Sequence, residues 1–135
     1  MNRVNEVARY VAERLLSGGL VVQMYKSYST NSIYLKLDYG VMNSIRISDH
    51  KGKKHLKYRY NLLRDRKSVN KHFDDEYPRF YYGFNHVERM LADIFQYKVE
   101  RLTRYGSENY RNYMVRNLRN NKFNRGFWTK SKELV

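Results

Sequence analysis

The chain has 135 residues, room for one domain with one modest core, and carries 27 Lys and Arg against 13 acidic residues, a formal charge of +14. It has no cysteine, which excludes a disulfide framework and any cysteine-based zinc site and points to a reducing, cytoplasmic compartment. No apolar run approaches the roughly 20 residues that span a bilayer, and charges within residues 1–6 do not suit a signal-peptide core, so a cytoplasmic protein with no membrane attachment is expected.

Fourteen tyrosines and six phenylalanines argue for a folded chain, because disordered basic tails lack aromatics. Val4, Val7, Ala8, Val11, Ala12, Leu15 and Leu16 recur at helical spacing, with Arg3, Glu6, Arg9, Glu13 and Arg14 opposite. This predicts a helix over 3–17, with Gly18-Gly19 as its left-handed stop. The period then changes to two. Residues 20–28 are rich in β-formers. In 32–38, Ile33, Leu35 and Leu37 alternate with Tyr34, Lys36 and Asp38. Alternation returns in 44–49 around Ile45 and Ile47, and in 55–62 around Leu56, Tyr58, Tyr60 and Leu62. Short connections at Ser29-Thr30-Asn31, Tyr39-Gly40 and Lys51-Gly52-Lys53 predict an antiparallel meander. The first helix covers its apolar face, and the other face, built from Tyr34, Lys36, Arg46, Ser48, Lys57 and Arg59, is expected to be wet and basic.

Residues 64–79 form a polar connection containing the single proline, Pro78. The aromatic run 80–84 suits either a strand or a hydrophobic loop anchor. Asn85 and Glu88 have the spacing of a capping box at the start of a second helix. Val87, Met90, Leu91, Ile94, Phe95, Val99 and Leu102 continue that helix to Gly106. Ser107 can cap a third helix carrying Tyr110, Tyr113, Met114 and Leu118. The fold expected is α+β: an N-terminal helix on a three- or four-stranded antiparallel meander, followed by two helices and a basic C-terminal tail. The expected single domain divides into helix and meander (1–63), polar connection (64–79), helical part (80–119) and basic aromatic tail (120–135).

Charge clustering is the strongest functional signal. Between positions 46 and 71 stand ten basic residues, among them Arg46, Lys51, Lys53, Lys54, Lys57 and Arg59, with two acidic ones. Such groups neutralise phosphates with release of counterions. Lys51, Lys53 and Lys54 suit a hairpin tip reaching along a nucleic-acid backbone, and suit an ordinary charged turn equally well. Toward the C-terminus Arg111, Arg116, Arg119, Lys122 and Arg125 interleave with Tyr105, Tyr110, Tyr113, Phe123, Phe127 and Trp128. Arginines that clamp phosphates beside rings that stack on bases make a single-strand or RNA groove; tyrosines at helical spacing also serve a core. The four histidines fall into no metal-ligand spacing, and no phosphate loop, nucleophile elbow or catalytic triad appears. No cofactor, metal or catalysis is expected. The cluster Asp74-Asp75-Glu76 suits a magnesium-dependent nuclease, or simply an acidic patch balancing nearby arginines.

The stretch Ile45-Arg46-Ile47-Ser48-Asp49-His50, followed by the basic hairpin, resembles small basic proteins of Firmicute phages and mobile elements, including type II anti-CRISPR proteins that inhibit Cas9. The resemblance covers residues 27–60. It implies a non-enzymatic inhibitor that binds a nucleoprotein, Cas9 with its guide RNA, in the cytoplasm of a bacterial host. A +14 protein cannot mimic DNA, so such an inhibitor would engage guide RNA, target DNA or an acidic protein surface. The alternative is a general basic DNA- or RNA-binding protein of a phage or mobile element. The element order also parallels double-stranded RNA-binding domains, but Gly83-Phe84-Asn85-His86-Val87-Glu88 stands where those begin their second helix with lysines.

Overall fold

The apolar stripe that begins at Val4 forms helix α1 (Arg3–Ser17), burying Val4, Ala8, Val11, Ala12 and Leu15. The computed structural model describes residues 3–27, 31–49, 55–59, 79–123 and 131–134. Helix α1 ends in a Schellman turn, with the Gly19 N–H bonded to Leu16 O (3.0 Å) and the Leu20 N–H to Leu15 O (3.0 Å). Only Gly19 takes the left-handed conformation, with φ 88°. Gly18 is there for space: a Cβ on it would stand 2.3 Å from Phe95 Cε1. Gly18→Ala should therefore lower stability by about 1–3 kcal/mol through overpacking. It should show as a lower urea midpoint at unchanged slope.

Four strands fall in the segments read from the sequence as the meander, β1 (Val22–Lys26), β2 (Ser32–Leu37), β3 (Ser44–Ser48) and β4 (His55–Arg59), and a fifth, β5 (Arg79–Gly83), forms at the aromatic run. Helices α2 (Val87–Tyr105) and α3 (Ser107–Phe123) come next, and a two-residue strand β6 (Lys132–Glu133) returns to pair with β1. The sheet has six strands in the order β5-β4-β3-β2-β1-β6, every neighbouring pair antiparallel. The fold is thus the expected α+β arrangement with a larger sheet. Of the two readings open for the run 80–84 the strand is the one found: residues 80–83 lie in the outer strand β5 and Phe84 opens the turn that follows, while residues 120–123 and 132–133 of the expected irregular tail are helix and strand. Residues 60–78, which hold the end of the expected strand 55–62 and the expected connection 64–79 up to Pro78, lie outside the described residues.

One sheet face buries Val22, Ile33, Leu35, Leu37, Ile45, Ile47, Leu56 and Tyr58. Over it lie α1 and α2, the latter contributing Met90, Leu91 and Ile94. At the start of α2 the predicted capping box is absent. Phe84–His86 form a 3-10 turn, α2 begins at Val87, and no side chain caps it. Glu88 instead accepts hydrogen bonds from the Tyr10 hydroxyl and from the Arg14 guanidinium at 2.5 Å, joining α2 to α1. Those two bonds, Tyr10 first, hold the Glu88 carboxyl below its usual range.

Asp38 departs from the alternation. Instead of continuing β2 outward, the chain turns at Leu37 into a 3-10 turn in which Asp38, Tyr39 and Gly40 all have positive φ (50°, 54° and 96°). The fully buried Asp38 carboxylate accepts the Val21 N–H at 2.8 Å, the Tyr110 hydroxyl, and the Lys98 ammonium at 3.0 Å. Lys98 also donates to Gly19 O at 3.2 Å. One carboxylate therefore ties the residue before β1, α2 and α3 to the end of β2. Burial, reinforced by the Asp38 charge, pushes the Tyr110 phenol far above its ordinary range.

Beside it, the Tyr39 hydroxyl donates to Glu133 Oε1 at 2.7 Å and holds β6 on the sheet edge. That bond, with desolvation second, pushes the Tyr39 phenol up to about 12. A raised folded-state pKa stabilises the fold fully below the unfolded value and ceases to do so as pH rises through the folded value. The Tyr39 contribution should thus vanish between the ordinary phenol value of about 10 and about 12. Melting of the Tyr39→Phe variant should lack this part of the alkaline fall; identical curves would show that the bond contributes nothing.

Candidate polyanion-binding face

The register places one row of side chains straight across the sheet face opposite the core. Tyr25 pairs with Tyr34, Tyr34 with Arg46, Arg46 with Lys57, and Lys57 with Tyr81. Five strands at the usual spacing make this row about 19 Å long. The chemistry along it alternates in a useful way. The Arg46 guanidinium lies 5.8 Å from the Tyr34 ring centroid, the Lys57 ammonium 5.9 Å from that of Tyr81, and the Tyr25 and Tyr34 rings are 6.3 Å apart. Cations over ring faces are held in place by the ring quadrupole, and their rotamer freedom is already reduced before any ligand arrives. Lys36 continues the same face one row on, between Gln23 and Ser44.

The face is not the open, wet surface that alternation suggested. Lys36, Arg46, Lys57, Tyr25 and Tyr34 are all half-buried. Ser32 and Ser48 are buried and share a hydroxyl–hydroxyl bond of 3.0 Å, so Ser48 belongs to the interior of the sheet and not to a binding surface. Desolvation lowers the pKa of Lys36. Among the described residues the buried Nε of Arg46 has no hydrogen-bond acceptor, and its terminal nitrogen reaches Ser32 Oγ at 3.4 Å.

The second cluster lies elsewhere. Arg111, Arg116 and Arg119 are exposed along α3, with Arg116 5.5 Å from the Tyr113 ring centroid and Tyr113 edge-on to Tyr105 at 5.3 Å. Tyr110, counted with this cluster in the sequence, is core. The two basic regions approach each other at Gly40, where a Cβ would meet Lys36 Cε at 2.9 Å and Asn117 Nδ2 at 3.7 Å. Arg59 ends β4 opposite Arg79, and Lys122 stands in the last turn of α3. Lys51, Lys53, Lys54, Arg125 and Trp128 lie outside the described residues, as do Asp74, Asp75 and Glu76. Among the described residues no three potential metal ligands gather, and no helix is long and apolar enough to cross a membrane.

Two members of the row, Tyr25 and Tyr81, were not picked out from the sequence. Strand alternation was their only signal, since Tyr25 alternates with Met24 and Tyr81 with Phe80 and Tyr82. The stretch Ile45–Asp49 behind the phage-protein resemblance is used structurally: Ile45 and Ile47 are core, Ser48 bonds Ser32, and Asp49 accepts the Asn31 amide at 3.0 Å. Only Arg46 in it faces the row, and His50 lies outside the described residues.

A groove of about 670 Å³ between α1 and the β1 side of the sheet is a poor rival for a polyanion. Ala8, Ala12, Met24 and Ile33 give it a largely apolar lining, and Glu6 and Glu13 there balance Arg9 and Lys26, so it carries no net positive charge. Compared with protein-family models, with curated proteins and with solved structures, the chain matches none.

Proposed function

We propose that this chain is a non-enzymatic nucleic-acid-binding protein that holds its ligand by the phosphate backbone along the outer sheet face. One observation carries the reading: the row Tyr25–Tyr34–Arg46–Lys57–Tyr81, in which two cations are each positioned over a tyrosine ring at the centre of a +14 chain. Phosphates take the cations and unpaired bases take the rings, a combination suited to single strands. Lys36 extends the cationic line, and the α3 arginines supply a second set of phosphate contacts. Inhibition of Cas9 with its guide RNA is the narrower form of this reading, supported by the resemblance at residues 45–50 alone.

The test is an anisotropy titration of labelled DNA and RNA strands of about 12 nucleotides from about 50 to 200 mM salt. Three phosphate contacts from Lys36, Arg46 and Lys57 predict a log–log salt slope of about −2 or steeper. Absence of binding, or binding indifferent to salt, would contradict the proposal. Parallel cleavage reactions with guide-loaded Cas9 separate the narrower form. Inhibition at near-stoichiometric protein, without retention of naked nucleic acid, would replace the general reading with it.

A further inference from the structure

The row ends at Tyr81, and there the edge of the sheet and the flank of α2 border an open cavity of about 540 Å³. Consecutive residues Phe80, Tyr81 and Tyr82 of β5 line it from one side, and Tyr97, Arg89 and His86 from the other. Positions 86, 89, 93 and 97 recur at three and four residues, so they form a stripe beside the core stripe of Met90, Leu91 and Ile94. Most of this wall is rigid. The Tyr82 hydroxyl donates to Asp93 Oδ2 at 2.7 Å, Tyr97 stacks on the buried Tyr58 at 6.3 Å, and Phe80 tilts against Tyr97 at 6.3 Å. Tyr81 is the outer side, 61% exposed.

The volume lies within the range of small-molecule sites, about 300–1,000 Å³. Four aromatic rings favour a flat, π-faced group over an aliphatic one. Arg89 and His86 add donors for an anionic oxygen, and Asp93 adds an acceptor for an exocyclic amine. Tyr81 belongs both to this cavity and to the row, since Lys57 lies over its ring. A strand following the row therefore arrives at the mouth of the cavity.

We infer that this cavity receives one unstacked nucleotide of a single strand, its base against Tyr81 and the aromatic wall and its phosphate on Arg89 and His86. The inference rests on the nucleic-acid reading above and names its ligand class. A duplex cannot fill the cavity without unpairing and unstacking a base, at a cost of a few kcal/mol, so the cavity selects single strands.

The experiment compares the full chain with Tyr81→Ala, Tyr81→Phe and Arg89→Ala, using oligo-dT and oligo-rU of about 12 nucleotides and a duplex of matched length. Tyr81→Ala should weaken single-strand binding about tenfold to a hundredfold, with duplex binding unchanged, and Tyr81→Phe should restore it. Arg89→Ala should lower the single-strand salt slope by about 0.7. Circular dichroism of each variant checks that the fold is retained, as the exposure of Tyr81 and Arg89 predicts. Single-strand binding by the unaltered chain that neither alanine variant weakens would overturn the cavity while leaving the nucleic-acid reading intact. Equal loss on duplex and single strand would do the same, since Tyr81 would then act only as part of the row. No binding by the unaltered chain to any probe would overturn both.

Discussion

Asp38→Ala should destabilise the protein by about 3–5 kcal/mol, as expected when one member of a buried ion pair is removed. The carboxylate is fully buried and receives three donors from three separate parts of the chain: the Val21 N–H, the Tyr110 hydroxyl and the Lys98 ammonium. Its loss leaves the Lys98 ammonium, which is itself mostly buried, with only the Gly19 carbonyl among these contacts. It also removes the acceptor for a buried phenol and the group that secures a turn of three consecutive positive-φ residues. Asp38→Asn separates these effects in part, because Val21 and Tyr110 use different carboxylate oxygens and the one amide oxygen can still accept from either of them, while the charge opposite Lys98 is gone. Urea unfolding should rank the wild type above Asn and Asn above Ala. A loss below about 1 kcal/mol for alanine, the scale of an ordinary surface change, would show that the buried carboxylate does not organise this end of the fold.

The largest effect on binding is expected from Lys36→Gln, Arg46→Gln and Lys57→Gln combined. Each cation on the outer face is assigned one phosphate, so removing all three should flatten the single-strand salt slope by about 2 and weaken binding on the order of 100-fold near physiological salt. Arg111→Gln, Arg116→Gln and Arg119→Gln together make the matched control, removing the same charge from α3. The sheet triple should lose more than the α3 triple, because its three cations are half-buried and two of them are held over rings, whereas the α3 arginines are exposed, with Arg116 over the Tyr113 ring, and pay more entropy on binding. Equal losses would mean that net charge alone drives association.

The outline of this fold was legible because alternation and helical periodicity are direct images of burial. Ile33, Leu35 and Leu37, then Ile45 and Ile47, then Leu56 and Tyr58 all face the core as their spacing requires. What periodicity could not convey was where the pattern stops. Asp38 continues the alternation of Lys36, yet the following Tyr39-Gly40 turns the chain into left-handed backbone and carries the carboxylate inward, where Lys98 and Tyr110, some sixty or more residues later in the chain, receive it. The Asn85–Glu88 spacing matched a capping box, but Arg14 and Tyr10 compete for the same carboxylate, and that competition exists only once α1 and α2 are packed. Strand β6 is two residues long and stands by its pairing with β1 and the Tyr39–Glu133 bond, so it has no pattern of its own.

The candidate face shows the same division. Lys36, Arg46 and Lys57 were legible singly as outward basic positions. Their assembly with Tyr25 and Tyr81 into one row depends on the register of four strand pairs, which connection lengths and turn geometry set. The cavity beside β5 was further from view, since Arg89, Asp93 and Tyr97 follow a helical period and Phe80, Tyr81 and Tyr82 a strand, and only packing brings the two together.

The most direct test of the central claim is a map of backbone amide shifts as single-stranded oligo-dT is added to the isotope-labelled protein. The account predicts that the largest changes run through Tyr25, Tyr34, Arg46, Lys57 and Tyr81, crossing five strands in one line, while the core-facing face of α1 stays still. Changes confined to α3, or spread evenly over every basic residue, would contradict a binding site on the outer sheet face.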